Sequence, residues 1–551
     1  MPSGRALQAG SAAVRFLSAT YARRAALRFC HDERGDVPRR SRFHSKVIYS
    51  GHFLMDSFNP DDVEIRSGHF IGGQYVESSG QGARRMDVAR PSDGAVYASV
   101  PVADADMVDR AVQNAWQAFR MSGWARMAPR ERAKILRRFA DLVEADAPAL
   151  GRLEALGSTR PIAQAVSWDV PFTAEGIRFY AEFADKLGGD VAATDHDHLG
   201  MTIAEPYGVI GAIAPWNFPL VMASWKIAPA LAAGNAVVLK PSEMTPFSVL
   251  RLAELAVQAG VPAGIFNVVQ GDGRTTGDEL VRHPQISKVT FTGSTRTGAA
   301  IMAACATSGT KPVTLELGGK SPQIVFADAP RLDDVARRIA GAITGNAGQV
   351  CVAGSRLLVE RSLAEPLAER IGRIFAEMKP GPTWAAGTAL SPIISEPQAA
   401  RIESIVQRTL HAGATLRHGG KRAEVRGAPA GAFYTPTLLT DVNAQSEAVR
   451  EEVFGPVLTL QTFDTEEEAL ALAQHPEYGL AAGVHTADLG RALRCVRALE
   501  AGTVWVNRYG RTSDFMIPTG GYKRSGIGKD LGRQAYESNL RFKSVLIDLR
   551  E

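Results

Sequence analysis

The chain has 551 residues, of which 45% are hydrophobic and 22% are charged, a composition typical of a soluble globular protein of about three domains. Its four cysteines, Cys30, Cys305, Cys351 and Cys495, form no C-x-x-C pair, so their spacing favours neither a disulfide framework nor a zinc site. The formal net charge of +4 comes entirely from residues 1–54, and the slightly acidic remainder argues against nucleic-acid binding. We expect a cytoplasmic protein with no metal site.

Residues 1–54 form a basic leader rich in Arg, Ala and Ser, with few acidic residues. This composition is typical of a transit peptide for an organelle. A disordered extension, or an upstream start codon with the true beginning near Met55, is the simpler explanation. Under either explanation we expect these residues to be dispensable for chemistry.

From Gly68 onward the chain alternates between helical and extended patterns. Apolar residues recur at helical spacing in 104–119 and 129–144, and five short apolar runs predict strands at 209–213, 236–239, 266–269, 289–291 and 313–317. Continuous apolar runs between helices predict an α/β fold with a parallel sheet covered on both faces. The most apolar stretch, 207–239, is interrupted by three prolines and Lys226, so we interpret it as buried core and expect no membrane span.

Polar residues and glycines follow three of these strands, where ligands bind in parallel sheets. Asn217 follows the first run, Lys240 and Glu243 follow the second, and the turn Gly293–Gly298 follows the run at 289–291. Such a turn leaves backbone N–H groups free to face a phosphate at a helix start. Each feature alone also fits a plain turn or a surface lysine.

Cys351 follows a predicted helix at 332–344 that is broken by the glycine-flanked segment 345–349. Cys305 and Cys495 instead lie inside apolar helical patterns, as buried structural cysteines do. Glu316 is a lone acid within an apolar run, where burial is costly unless its charge has a use. A strand residue facing solvent is the alternative interpretation of Glu316.

Taken together, these features resemble the aldehyde dehydrogenase superfamily from about Phe70 to Ile547. Seven motifs occur in the order of the family: GAIAPWNFP, VLKPSE, FTGSTRTG, LELGGKSP, GNAGQVCVAGSR, EEVFGPV and GGYKRSGIGKDLG. The resemblance implies a Rossmann-type cofactor domain (55–187 and 208–318), an α/β catalytic domain (319–539) and a small β bridging domain (188–207 and 540–551) used for homodimer or homotetramer formation.

The resemblance also implies roles for the central residues. Cys351 would attack the aldehyde as a thiolate, and the resulting thiohemiacetal would expel hydride to the nicotinamide. Asn217 and the backbone N–H of Cys351 would stabilise the oxyanion, and Glu316 would activate the water that hydrolyses the thioester. Outside this set of motifs, EEVF would be interpreted as a helix end with Phe454 in the core.

The implied cofactor is NAD, with NADP as the alternative, since Glu243 would repel a 2′-phosphate. The cofactor-binding residues would be Trp216, Lys240, Ser242, Glu243, Gly293, Ser294, Gly298, Leu317, Glu452 and Phe454. Three alternative functions remain open. Glu316 argues against a coenzyme A-acylating dehydrogenase, and Glu243 argues against an NADPH-dependent acyl-phosphate reductase. The presence of Cys351, Asn217 and Glu316 argues against a non-catalytic homologue.

The substrate pocket is predicted from the segment 508–519. Two arginines, Arg508 and Arg511, and Thr519 in place of a bulky aromatic residue predict a weakly apolar pocket. Because Arg binds carboxylates through paired N–H donors, a short ω-semialdehyde is our substrate hypothesis, with solvent-facing arginines as the alternative. The terminal strand also departs from the family at Arg541, a position often held by Glu.

Overall fold

The computed structural model describes residues 57–78 and 83–550; the leader, with the transit-peptide hypothesis, lies outside this range. Over the described ranges the strands form an eight-stranded sheet, a seven-stranded sheet, a three-stranded sheet and two strand pairs. Helices pack against the two large sheets, so the α/β prediction is confirmed.

The eight-stranded sheet contains all five strands predicted from the apolar runs. Its order is Gln74–Val76, His69–Ile71, Phe266–Val268, Ala236–Lys240, Val209–Ile213, Lys288–Thr292, Val313–Glu316 and Gly526–Ile527. The five predicted strands are parallel to one another, whereas His69–Ile71 and Gly526–Ile527 pair antiparallel at its two sides. Nearly every residue of these five strands is buried, which requires cover on both faces because successive side chains point to opposite sides.

The seven-stranded sheet is built from later residues, in the order Thr415–His418, Thr437–Thr440, Val457–Phe463, Arg356–Glu360, Pro322–Val325, Ala481–His485 and Thr503–Val506. The three-stranded sheet pairs Leu540–Asp548 with His198–Pro206, which in turn pairs with Val191–Ala192. The strand pairs are Arg85–Ala89 with Val96–Pro101 and Tyr478–Gly479 with Tyr522–Lys523. The predicted domain boundaries stay a prediction, and Gly526–Ile527, from the segment 319–539, pairs with the first sheet.

The helices begin and end close to the predicted positions. Those predicted at 104–119 and 129–144 span Ala105–Met121 and Pro129–Ala145, and the one before Cys351 spans Leu332–Thr344. The other longer helices are Ala147–Gly157, Val170–Phe183, Pro219–Ala232, Phe247–Ala259, Thr295–Thr307, Ala364–Glu377, Glu396–His411, Glu466–Ala473, Leu489–Ala498 and Gly532–Glu537. None of the helices in the described residues is long and apolar enough to cross a bilayer.

Candidate active site

The candidate site lies where the parallel strands of the first sheet end. The register pairs Ile213 with Lys240 and with Phe291, and Thr292 with Glu316. Four strands therefore end at one edge of the sheet, and the segments that follow them meet there. This is the edge at which parallel α/β sheets bind ligands.

A cleft runs along this edge as two adjoining cavities of about 370 and 680 Å³. The first is lined by Lys240, Ser242 and Glu243, and the second by Asn217, Leu317, Cys351, Glu452 and Phe454. Both cavities share Pro215, Trp216, Thr292, Gly293 and Ser294. Of the ten residues predicted to bind the cofactor, nine line the cleft.

Gly298 is the exception, because it lines neither cavity. A Cβ atom at Gly298 would lie 2.5 Å from Cδ2 of Leu317, so this glycine lets the helix Thr295–Thr307 pack against Leu317. Position 293 also requires glycine for a steric reason, since a Cβ atom there would lie 2.4 Å from the ring of Phe291. Ser294 caps the helix by accepting a hydrogen bond from the N–H of Thr297.

The cleft has the polar groups and the space that a dinucleotide needs. Lys240 Nζ lies 3.3 Å from Glu243 Oε2, which places an ion pair at the wall of the first cavity. The buried Thr292 Oγ1 has no hydrogen-bond partner among the described residues and lies where the cavities join. The N-terminus of Thr295–Thr307 opens beside it, and helix N-termini attract phosphates.

Cys351 lies immediately after a strained bend. Asn346 and Ala347 have φ angles of 49° and 50°, in the left-handed region that residues with a Cβ rarely adopt. The side-chain amide of Asn217 donates to the carbonyl of Gln349 at 2.9 Å, which ties Asn217 to this bend. Asn217 and Cys351 line the same cavity, so the predicted oxyanion donor and the predicted nucleophile lie together.

Glu316 is the last residue of its strand and is buried, which excludes the interpretation as a solvent-facing strand residue. Its Oε1 accepts a hydrogen bond from the N–H of Asp530 at 3.3 Å. Burial and the nearby carboxylate of Asp530 raise the pKa of Glu316 to about 8. A group with this pKa can accept a proton near neutral pH, as a general base must.

Asp530 is a residue of this site that sequence reasoning missed. Its Oδ2 lies 2.5 Å from Nζ of Lys226, and both side chains are buried. The pair comes from two distant segments of the chain, the helix Pro219–Ala232 and the loop before Gly532–Glu537. Only the GKDLG motif marked Asp530 in the sequence, without indicating its partner.

Two opposing influences act on the thiol of Cys351. Burial raises its pKa to about 11, and the guanidinium of Arg511 acts in the opposite direction. Arg511 lies above the ring of Trp225, with its guanidinium carbon 5.4 Å from the ring centroid. It therefore places a positive charge near the reacting groups.

Glu452 and Phe454 lie on a loop at the far side of the cleft. Glu452 Oε1 accepts from the N–H of Gly319 at 3.1 Å, and burial raises the pKa of Glu452 to about 7. The ring of Phe454 meets the ring of Trp216 edge to face at 5.4 Å. EEVF does follow a helix end, since Glu451 is the C-cap of the helix Glu447–Arg450, but Phe454 lines the cleft, so its placement in the core is wrong.

Gln398 and Arg401 hold this loop and were not predicted. Gln398 donates to the carbonyls of Val453 and Phe454, and Arg401 donates to those of Val453 and Glu452. Phe454 has a φ of 54°, a conformation that such contacts maintain. Both side chains also line the cleft.

A third cavity of about 380 Å³ includes residues adjoining Cys351 on both sides in sequence, Val350 and Val352. Five aromatic residues line it: Trp168, Phe172, Phe218, Trp225 and Tyr509. Three arginines, Arg337, Arg338 and Arg511, line the same cavity, so the expectation of a weakly apolar pocket stays a prediction. Four of the five aromatic residues come from segments between 168 and 225, outside the predicted pocket segment 508–519. Phe218 and Trp225 lie seven residues apart, a helical spacing next to Asn217.

The three predicted substrate residues differ in position. Arg511 lines the aromatic cavity, but Arg508 and Thr519 do not. The exposed Arg508 donates to the carbonyl of Gly510 at 3.2 Å, and the buried Thr519 contacts Arg511 and exchanges backbone hydrogen bonds with Asp530. The direction of the loop decides where these three side chains lie. The hydrophobic periodicity of the sequence does not predict the direction of a loop.

Comparison with known proteins agrees with this geometry. The model of the aldehyde dehydrogenase family matches residues 75–545. The chain belongs to the aldehyde dehydrogenase family. It is 41% identical over 487 residues to the NADP/NAD-dependent aldehyde dehydrogenase PuuC of Escherichia coli, covering 88% of this chain and 97% of that protein.

Two solved structures of aldehyde dehydrogenases are similarly close. An indole-3-acetaldehyde dehydrogenase in complex with NAD⁺ has a TM-score of 0.86 and 42% identity, covering 89% of this chain and 98% of that one. The γ-glutamyl-γ-aminobutyraldehyde dehydrogenase of Burkholderia cenocepacia has the same values. The protein is thus an NAD(P)-dependent aldehyde dehydrogenase with the fold of that family, as the sequence predicted.

Proposed function

We propose that this aldehyde dehydrogenase oxidises its substrate through a covalent intermediate on Cys351, with Asn217 as oxyanion donor and Glu316 as general base. The observation that supports this most strongly is the position of Cys351 and Asn217 on one cavity wall beside the strand that carries Glu316. The three residues come from three separate segments of the chain, which only the fold brings together.

In the first step the Cys351 thiol gives its proton to solvent water, and the thiolate sulfur bonds to the aldehyde carbon. The carbonyl oxygen becomes an oxyanion, which the side-chain amide of Asn217 and the N–H of Cys351 stabilise. NAD, when bound, accepts the hydride that leaves this carbon. Glu316 then takes a proton from a water that attacks the thioester, which releases the acid and restores the thiol.

The cofactor would lie along the cleft, with Lys240 and Glu243 at the adenosine ribose and Glu452 and Phe454 at the nicotinamide half. Glu243 supports a preference for NAD over NADP, since a carboxylate beside a 2′-phosphate would repel it. Gly298 would act through helix packing and not by touching the cofactor.

The substrate tail would occupy the aromatic cavity, which favours a bulky or planar apolar aldehyde. Two relatives are named for bulky substrates, indole-3-acetaldehyde and γ-glutamyl-γ-aminobutyraldehyde. Of the two arginines behind the semialdehyde hypothesis, only Arg511 lines this cavity, which Arg337 and Arg338 also line. In the Arg511→Leu variant, a larger loss of kcat/KM for succinic semialdehyde than for phenylacetaldehyde would support that second candidate.

A homo-oligomer is the proposed assembly, because the three-stranded sheet leaves an apolar face uncovered. Phe542 and Leu546 are 56% and 69% exposed and lie on one face with Gly200 and Ala204 of the neighbouring strand. We propose that the assembly is a homodimer or a homotetramer. We also propose that the protein is cytoplasmic. Arg541, the basic residue at a position where the family often has Glu, lies near Glu205 in the same sheet, as does Lys543. The carboxylate of Glu205 thus partly neutralises these two positive charges.

The proposed function is tested by NADH production from a panel of bulky and short aldehydes, with and without coenzyme A. We expect turnover without coenzyme A and formation of the free acid. Strict dependence on coenzyme A, with an acyl-coenzyme A product, would overturn the assignment of Glu316 as the base that activates water.

A further inference from the structure

A hydroxyl outside the cleft is hydrogen-bonded to the bend that precedes Cys351. Thr159 follows the helix Ala147–Gly157 and is completely buried. Its Oγ1 lies 2.7 Å from Oδ1 of Asn346, a residue 187 positions later in the chain. Thr159 has no place in the family motifs or in the catalytic steps above.

The direction of this hydrogen bond follows from the other contacts of Asn346. Its Nδ2 lies 2.9 Å from the backbone carbonyl oxygen of Asn217 and 3.4 Å from that of Gln349. Both are acceptors, so the amide nitrogen must face them and Oδ1 must face Thr159. The Thr159 hydroxyl is therefore the donor, and it fixes which way the Asn346 amide points.

The Asn346 amide in turn connects the two halves of the predicted oxyanion site. It holds the backbone of Asn217, while the side chain of Asn217 donates to the carbonyl of Gln349 on the bend before Cys351. Gln349 is anchored through Nε2 to the carbonyls of Pro392 and Asn346 and through Oε1 to the N–H of Ile394. Among the described residues, Thr159 alone donates to Oδ1 of Asn346.

The backbone of the bend depends on such contacts. Asn346 and its neighbour Ala347 both have left-handed φ angles, which are unfavourable for residues with a side chain. A strained conformation persists only where surrounding contacts specify it. Loss of one contact at Asn346 would therefore let the bend relax.

We propose that Thr159 is a positioning residue, which acts through Asn346 to hold the side-chain amide of Asn217 and the N–H of Cys351 where the oxyanion forms. This inference rests on the proposed oxyanion role of Asn217. Removing the hydroxyl leaves Oδ1 of Asn346 buried without a donor, and the amide then rotates or withdraws. Serine keeps the donor, whereas valine keeps the shape and lacks it.

The experiment measures the rate of the pre-steady-state NADH burst, the Kd for NAD and the melting temperature. Thr159→Val should slow the burst about ten-fold or more, because small misplacements of catalytic donors are costly. Thr159→Ser should stay within about two-fold of the unmodified rate. NAD affinity should not change, because Thr159 does not line the cofactor cleft. Thr159→Ala gives the same test if the valine variant does not fold.

Thr409→Val is the matched control, since Thr409 is also buried and its hydroxyl also makes a hydrogen bond, to the carbonyl of Ile405. We expect an unchanged burst rate in this variant. In Asn346→Ala, adding Thr159→Val should cause no further loss, because the two residues act in one path. Additive losses, or an equal loss in the Thr409 control, would overturn the proposal.

Asn217→Ala separates this inference from the proposed function. If Asn217→Ala keeps the normal burst rate, the oxyanion role itself is wrong. If Asn217→Ala loses the burst while Thr159→Val retains it, the proposed function stands and the positioning role of Thr159 is wrong.

Discussion

Glu316, the proposed general base, owes its raised pKa to its surroundings. The carboxyl is buried at a strand end and accepts a hydrogen bond from the backbone N–H of Asp530, whose carboxylate lies nearby in a pair with Lys226. Burial and Asp530 together raise the pKa of Glu316 to about 8. Because the base must be deprotonated to act, deacylation should accelerate as pH rises and level off above about 8.

Asp530→Asn tests this origin of the raised pKa. The substitution removes the like charge, while the amide oxygen can still accept from Lys226, so the pKa of Glu316 falls and the half-maximal deacylation rate moves to lower pH. The pH profile of acyl-enzyme hydrolysis measures the shift. Asp328→Asn, which alters an ion pair with Arg491 outside the cleft, should leave the profile unchanged. A profile that is the same in all three proteins would contradict this explanation.

Glu243 is expected to set the preference for NAD. Its carboxylate pairs with Lys240 at the wall of the first cavity, where a 2′-phosphate would add a like charge. Glu243→Gln should therefore narrow the ratio of kcat/KM for NAD to that for NADP by improving use of NADP. Asp278→Asn, in the same cavity wall, is the control and should leave the ratio unchanged. Equal use of both cofactors by the unmodified enzyme would contradict this role.

At the residue scale, the sequence predicted the groups that follow a strand or a helix. Asn217, Glu316 and Cys351 were identified because each interrupts a regular pattern at the place where chemistry is common. Asp530 was missed because its contact with Glu316 joins residues 214 positions apart, and no local pattern encodes such a contact. The aromatic cavity was missed for the same reason.

At the scale of an element, the helix Leu332–Thr344 lines the aromatic cavity, the proposed substrate pocket. Gly341 lies within this helix and Gly345 just after it, both line the aromatic cavity, and a Cβ at either would meet no atom within 4 Å. A glycine inside a helix costs about 0.5–1 kcal/mol of stability relative to alanine. No steric contact requires glycine at position 341. We therefore infer that this glycine serves to leave space in the aromatic cavity.

Gly341→Leu should fill that space. We expect kcat/KM for a bulky aldehyde such as indole-3-acetaldehyde to fall about ten-fold or more, while acetaldehyde is little affected and the free energy of unfolding rises slightly. Gly372→Leu is the matched control, because Gly372 lies within the helix Ala364–Glu377 and also has open space around it. Equal effects of the two variants on the bulky aldehyde would show that Gly341 does not shape the pocket.

Elements were predictable where local patterns were strong. The helix before Cys351 has the predicted ends, and the five parallel strands lie at the predicted runs. The strand Gly526–Ile527 could not be predicted, because two residues show no periodicity and its existence depends on pairing with Val313–Glu316. The order of strands in each sheet likewise depends on contacts between distant segments.

At the scale of the whole molecule, the apolar face of the three-stranded sheet is the feature that one chain leaves unexplained. Burying Phe542 and Leu546 against another copy would remove their apolar surface from water, at about 25 cal/mol for each Å². Phe542→Asp with Leu546→Asp should therefore yield a smaller species in analytical ultracentrifugation. The control variant is Leu416→Asp, at an exposed leucine of the seven-stranded sheet. It should leave the size of the species unchanged. An unmodified chain that is monomeric at micromolar concentration would contradict the proposal.

The central claim is that oxidation proceeds through a thioester on Cys351 that Glu316 hydrolyses, and intact-mass analysis of Glu316→Gln after mixing with NAD and aldehyde tests it most directly. We predict a burst of about one NADH per active site, followed by an acyl adduct that maps to the peptide containing Cys351. Cys351→Ala should show neither burst nor adduct while still binding NAD. A burst without an adduct, or an adduct on Cys305 or Cys495 instead, would contradict the account.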